Sequence, residues 1–215
     1  MRYTQYNIAY PKPGCPNGED VIYVNKNLFI VIDGVGGSSR REGSVKNWTQ
    51  CRDYIMYFIE VLKMFNNENK KIKLHDLMKY TLYYCGHRSM YQGTFVFSMC
   101  RLYEGYMEYC TLGDCTIVVL REDKLVLKNR HDYVDSTINM PRQMGFMNGK
   151  IVDASLKTRR MKIKKGDIII LCSDGITDNI SLRKAVVLPS AYKICSAAKK
   201  ANKKYDDMSV IRIEV

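Results

Sequence analysis

Residues 20 to 24 (Asp20-Val21-Ile22-Tyr23-Val24) and 28 to 32 (Leu28-Phe29-Ile30-Val31-Ile32) are apolar, β-branched and aromatic runs, separated by Asn25-Lys26-Asn27. Two such runs around a polar triplet predict a β-hairpin. From residue 45 to 64 the spacing changes, with Trp48, Cys51, Ile55, Phe58, Ile59 and Leu62 recurring at helical intervals; Leu74, Leu77, Met78, Leu82 and Cys85 repeat the pattern. Two amphipathic helices are predicted after the hairpin. Beyond Gly93 the texture returns to short apolar or alternating segments at 94–102, 106–112, 116–121 and 124–128, each bounded by turn residues. These read as an antiparallel meander. A further strand pair is predicted at 157–163 and 167–172, joined by Lys164-Lys165-Gly166, followed by a helix around 190–203 and a last strand at 209–215. Blocks of strands and helices segregated in this way predict an α+β architecture, with sheets packed on each other and helices outside.

No Gly-, Ser- or Pro-rich linker and no internal repeat divides the 215 residues, so a single domain over 1–215 is expected. With 46% apolar and 26% charged residues, the composition indicates neither a disordered nor a membrane-embedded chain. No apolar run approaches the roughly 20 residues needed to cross a bilayer. Met1 to Tyr10 has the character of neither a secretory signal nor a transit peptide. A cytoplasmic or nuclear location is the expectation. Cys15, Cys51, Cys85, Cys100, Cys110, Cys115, Cys172 and Cys195 are dispersed, several inside apolar runs. They read as small buried hydrophobes carrying reduced thiols. With no C-x-x-C pair and only His75, His87 and His131 available, structural zinc is not expected.

The formal charge of +12 invites a polyanionic partner. Its distribution argues otherwise, because the basic residues form short groups (Lys70-Lys71, Arg159-Arg160, Lys162 to Lys165, Lys199 to Lys204) without an aromatic-basic module. Solvated faces, or attraction to phosphorylated and acidic substrates, account for them better than specific nucleic-acid binding.

Acidic residues recur where apolar strands end. Asp33 closes Leu28–Ile32 and is followed by Gly34-Val35-Gly36-Gly37; Ser173-Asp174-Gly175 follows Ile168-Ile169-Ile170-Leu171-Cys172. Gly113-Asp114 ends the 106–112 strand, Asp206-Asp207 precedes the last strand, and Glu19-Asp20 opens the first. One Asp-Gly after a strand is an ordinary turn. Five acidic strand ends brought together would be costly to bury without cations, and all-oxygen ligands suit Mg²⁺ or Mn²⁺.

Gly18-Glu19-Asp20, Asp33-Gly34-Val35-Gly36-Gly37, Gly93-Thr94, Leu112-Gly113-Asp114, Ser173-Asp174-Gly175 with Asp178-Asn179, and Asp206-Asp207-Met208-Ser209-Val210 stand in an order and spacing that resembles the protein phosphatase 2C (PPM) family. The match runs from residue 7 to 215. Pro11-Lys12, Val35 and Asn139-Met140-Pro141 are similar to the mitochondrial-type branch, by which a mitochondrial location is a further expectation, although no clear transit peptide is read. The resemblance implies an α/β/β/α sandwich of two mainly antiparallel sheets, and a monomeric, metal-dependent hydrolase of phosphoserine and phosphothreonine in proteins.

Carried over position by position, the resemblance implies that Asp33 bridges two metals, that Gly34 lends its carbonyl to one, and that Asp174 and Asp206 bind the other. Glu19 and Asp20 would act on waters or orient ligands, and Asp114 matches the position of a third, looser metal. The nucleophile would be water activated by the cation pair. Without a C-x₅-R loop, no cysteine is expected to be catalytic. Two positions depart from the pattern: Cys15 stands where many members have a phosphate-holding arginine, and Val35 where many have histidine. Arg40 or Arg41 is the candidate replacement for phosphate. His87 and His131 are available as proton donors but are read as ordinary surface or core histidines. Asp178 is read as the cap of a short helix. The alternatives are a pseudophosphatase acting as a binding module and a basic nucleic-acid-binding protein.

Overall fold

The strands that read as unbroken apolar runs do so because both of their faces are covered. In the computed structural model, which describes residues 1–10, 15–35, 48–69, 71–135, 137 and 140–215 (for Trp48 and Thr49 the backbone only), the elements follow in this order. First come β1 (Arg2–Ile8), β2 (Val21–Asn25) and β3 (Leu28–Gly34), then α1 (Trp48–Glu68) and α2 (Leu74–Arg88). Next are β4 (Gly93–Tyr103), β5 (Tyr106–Leu112), β6 (Thr116–Arg121) and β7 (Lys124–Lys128), and the short β8 (Tyr133–Asp135), β9 (Met140–Pro141), β10 (Met144–Met147) and β11 (Lys150–Val152). The chain ends with β12 (Arg159–Lys162), β13 (Ile168–Cys172), α3 (Asp174–Thr177), α4 (Leu182–Val186), α5 (Ala191–Ala201) and β14 (Met208–Glu214).

One antiparallel sheet has the order β1-β14-β13-β6-β7; the other runs β11-β10-β4-β3-β2, with β5 on β4 and β12 on β5. Successive side chains on a strand point to opposite faces, and the buried residues sort accordingly. Leu28, Ile30 and Ile32 of β3 pack under α1 and α2, while Phe29 and Val31 meet Ile117, Val119, Ile169, Leu171, Ile211 and Ile213 between the sheets. On the far side Val118, Ile170 and Val210 pack with Ile194, Cys195 and Ala198 of α5. Helix, sheet, sheet and helix form the layers: the α/β/β/α sandwich. Each fully buried Ile or Leu contributes about 1.5–3 kcal/mol through water exclusion. All eight cysteines lie buried as thiols. Among the described residues no helix is long and apolar enough to cross a membrane.

Two pairings differ from the sequence reading. The segments around 157–163 and 167–172 are not partners: β12 pairs with β5 (Arg160 opposite Glu108), and β13 lies between β14 and β6. Lys164–Asp167 therefore carries the chain from one sheet to the other. Asp167 secures that passage by accepting from Arg121 Nε and Nη2 (2.9 and 2.8 Å) and from Lys164 N (2.9 Å). The 94–128 meander is likewise split, with β4 and β5 in one sheet and β6 and β7 in the other. Gly113-Asp114 thus lies where the chain changes sheets.

Candidate metal centre

The acidic strand ends gather at one edge of the sandwich. Asp33 lies near the end of β3, Asp174 is the first residue of α3 directly after β13, and Asp206 precedes β14. Burial first, then the charges of Asp20, Asp174, Asp206 and Asp114, push the Asp33 carboxyl well above the usual carboxylate range. Asp20 is raised by burial and by Asp207 and Asp206, against the nearby Ser173 and Ser209 hydroxyls. Asp114 is pushed up to about 6 by burial and by Asp174. Asp174 is also raised by burial, while Lys204 opposes that rise. Mutual repulsion of this kind places the five aspartates within reach of one another's fields.

Local structure explains why they converge. Gly34 lies so close to the first motif that a Cβ there would come 2.7 Å from Glu19 Cβ, so only glycine lets β3 end against Glu19-Asp20. Arg52, projecting from α1, donates from Nη1 to the carbonyls of Asn17, Gly18 and Asp20 at 3.1, 2.8 and 3.0 Å. Asp207 accepts from Tyr10 N at 2.5 Å and Glu19 N at 2.6 Å, tying the Glu19 segment to the start of β14. Asn7 donates to Ser209 Oγ (3.0 Å), and Ser209 N donates to Ser173 Oγ (3.0 Å), which draws β1, β14 and the Ser173-Asp174 corner together.

Lys204 is the residue that sequence reasoning passed over. Its Nζ lies 2.5 Å from Asp174 Oδ2, 2.9 Å from Asp178 Oδ2 and 3.2 Å from Asp206 Oδ2. Asn179 holds it there, since its Oδ1 accepts from Lys203 N and Lys204 N (2.7 and 3.0 Å) and its Nδ2 donates to Gly175 O and Lys204 O (2.7 and 3.0 Å). Lys204 ends a run of lysines and carries no sequence signal of its own; Arg52 is hidden in the same way on the polar side of α1. Asp178, read as the cap of a short helix, is the C-cap residue of α3, and its carboxylate meets Lys204.

Two observations fit this cluster to divalent cations. Asp174 Oδ1 and Asp20 Oδ2 are buried with no hydrogen-bond partner among the described residues, and buried carboxylate oxygens without partners are costly. The donor set is also all oxygen, as Mg²⁺ and Mn²⁺ require. Among the described residues no three Asp, Glu, His or Cys side chains are already drawn into a metal cage; the Lys204 ammonium lies against Asp174 and Asp206. Cys15 is buried, its Sγ donating to Gly18 O at 3.0 Å. Arg40 and Arg41, the candidates for that role, lie outside the described residues, as do Pro11-Lys12, Gly36-Gly37 and Asn139. His131 is near the cluster: its Nε2 is 2.9 Å from Thr116 Oγ1, and its pKa is lowered by burial and Lys128 against the pull of Asp174 and Asp178.

Comparisons with known proteins bear on the family and the fold. The family described as Stage II sporulation protein E (SpoIIE) matches residues 66–215, a stretch holding Asp114, Asp174, Asp206 and Lys204 but not Glu19, Asp20 or Asp33. A protein of Oryza sativa subsp. japonica that carries a protein phosphatase 2C name is 27% identical over 75 residues, covering 35% of this chain and 23% of that relative's length. The photosystem II phosphatase PBCP superposes with a TM-score of 0.79 at 18% identity, covering 100% of this chain and 98% of the other. The catalytic domain of the serine/threonine phosphatase PstP, solved with two manganese ions, gives 0.73 at 15% identity with 99% and 97% covered. At such identities the two structures speak for the fold alone. The family match spans well over half of the chain, which therefore belongs to the Stage II sporulation protein E (SpoIIE) family.

Proposed function

We propose that this chain is a metal-dependent protein phosphatase that hydrolyses phosphoserine and phosphothreonine. The observation that carries the reading is the convergence of Asp33, Asp174, Asp206, Asp20 and Asp114 on one another at the ends of buried strands. Asp33, with Asp174 and Asp206, would hold two cations, Gly34 offering its carbonyl; Asp114 would serve a third. Bound there, Mg²⁺ or Mn²⁺ supplies the Lewis acidity that activates water and neutralises charge on a phosphoryl group. The chain's own part is positional. Arg52 and Asp207 fix the Glu19-Asp20 segment, and Asn179 fixes the Lys204 loop. The eight buried cysteines take no part; burial pushes the Cys115 thiol well up, away from its reactive form.

A phosphopeptide assay with Mn²⁺, Mg²⁺ and chelator, before and after thiol alkylation of the native protein, tests the reading. Hydrolysis restored by either cation, absent in chelator and unaffected by alkylation is the expected result; equal turnover in excess chelator rules it out. A second reading, a catalytically silent binding module, is favoured by one observation: Lys204 already supplies a positive charge to Asp174 and Asp206. Phosphopeptide binding without turnover at saturating Mn²⁺ is its signature.

A further inference from the structure

A cleft of about 680 Å³ opens beside the acid cluster, between β5, the start of β12 and the 130–133 and 155–157 segments. One wall is continuous with the cluster. Asp132 N donates to Gly113 O at 2.9 Å, immediately before Asp114, and His131 and Tyr133, which line the cleft, both lie in the field of Asp174 and Asp178. Beside the neutral Tyr109, Thr111 and Ser155, the basic Arg130, Lys157 and Arg159 line it with exposed side chains. Among the described residues no carboxylate pairs with any of the three. The one acid in the lining, Asp132, is engaged by Arg142 Nε at 3.1 Å. Three unpaired cations in one concavity is an arrangement that holding the fold together does not require.

We propose that this cleft is a docking subsite for acidic residues flanking the phosphorylated side chain, so that the preferred substrate is an acidic phosphopeptide; this rests on the phosphatase reading above. A peptide whose phosphoryl group reaches Asp33 and Asp174 and whose chain runs past Gly113-Asp114 brings its neighbouring residues to the cleft. Its volume suits a few side chains. Carboxylates at those positions meet Arg130, Lys157 and Arg159, which raises both encounter rate and affinity. Nucleic acid fits less well. Its evenly spaced phosphates would press further negative charge against Asp114, Asp174 and Asp178 on the adjoining side, whereas a peptide carries acid only where its sequence puts it.

The test uses the full chain with Mn²⁺ and two phosphopeptides identical except for Asp/Glu or Asn/Gln at the flanking positions. Wild type should favour the acidic peptide in kcat/KM by about tenfold, mostly through KM, as three exposed charge pairs would give. In Arg130→Gln/Lys157→Gln/Arg159→Gln the ratio should fall towards one, while the melting temperature confirms that the fold is intact. Equal treatment of the two peptides by wild type, or a ratio retained by the variant, overturns the proposal. If neither peptide is hydrolysed, the phosphatase reading fails, and the cleft is judged by fluorescence anisotropy with unphosphorylated versions. Tighter binding of the acidic peptide by wild type but not by the variant then supports the subsite, and equal binding overturns it. A single-stranded oligonucleotide of equal charge that binds more tightly than the acidic peptide also overturns it, in favour of a nucleic-acid surface.

Discussion

The ammonium of Lys204 sits 2.5 Å from Asp174 Oδ2, among carboxylates that would otherwise hold a cation. It also touches Asp178 and Asp206, and Asn179 pins the backbone that carries it. A divalent metal bound by Asp174 and Asp206 has to displace this charge, so the lysine and the metal compete for the same oxygens. Lys204→Met should strengthen Mn²⁺ binding by roughly tenfold, about 1.4 kcal/mol. The metal-free protein should melt lower by about 2–4 °C, because three carboxylates lose a shared counter-charge at a site open enough for water to soften the loss. Calorimetric titration with Mn²⁺ and melting curves in chelator measure the two effects. Unchanged Mn²⁺ affinity would mean that Lys204 swings aside without cost.

Asp33 and Asp178 should respond in opposite ways to the same isosteric change. Asp33 is hemmed in by Asp20, Asp174, Asp206 and Asp114, and its carboxyl is raised accordingly. Asp33→Asn should weaken Mn²⁺ binding at least a hundredfold while raising the melting temperature in chelator by about 2–4 °C, because like-charge repulsion is relieved. The Asp178 side chain is 41% exposed, and its contact is a surface pair with Lys204. Asp178→Asn should leave Mn²⁺ affinity within about threefold and stability within about 1 kcal/mol. Equal losses of metal binding in the two variants would contradict the division of roles.

The pH dependence of the metal-free protein should run against the common pattern. A carboxyl whose folded pKa is raised binds a proton more readily in the native than in the unfolded chain, so stability falls as pH rises from the unfolded to the folded value. Asp114 does this between the ordinary Asp value of 3.8 and about 6, and Asp20, Asp33 and Asp174 act in the same sense. Among the described residues His131, lowered from 6.5, works the other way in this window. The Asp167 carboxyl, lowered by Arg121, protects the fold above its unfolded pKa, and that contribution is lost only at more acid pH than this window. The melting temperature in chelator should therefore rise by about 5 °C from pH 7.5 to pH 5. With saturating Mn²⁺ the sign should reverse, since protons then compete with the cation. A chelated protein that melts lower at pH 5 would contradict the electrostatic picture of the site.

What the sequence disclosed follows from what burial leaves visible. Leu28–Ile32 and Ile168–Cys172 are apolar at every position because each strand has a core on both faces, so their existence and their acidic ends could be read directly. β1 was silent: Arg2 to Asn7 are exposed, and the strand is held by its backbone pairing to β14. The partner of 157–163 was misread because a three-residue turn signal cannot distinguish a hairpin from a passage between sheets, and Asp167 gripping Arg121 decides it. Lys204 and Arg52 were hidden because a cation's role depends on carbonyls and carboxylates far along the chain, such as Gly18 O and Asp174 Oδ2.

The last prediction concerns Gly175, which the sequence presented as part of an Asp-Gly turn. A Cβ at Gly175 would lie 2.0 Å from the carbonyl oxygen of Asp207. That atom is backbone, fixed by Asp207's grip on Tyr10 N and Glu19 N, and cannot swing away as a side-chain tip could. Gly175→Ala must push the start of β14 away from α3 and so separate Asp206 from Asp174. The expected cost is about 2–4 kcal/mol of stability with a large loss of Mn²⁺ affinity. Gly105→Ala provides the comparison: Gly105 has φ +75 and nothing within 4 Å of an added Cβ. It should cost only the roughly 1–2 kcal/mol of a left-handed backbone and leave Mn²⁺ binding unchanged. If Gly175→Ala retains wild-type Mn²⁺ affinity, the close approach of α3 to Asp207 is not what holds Asp174 and Asp206 together.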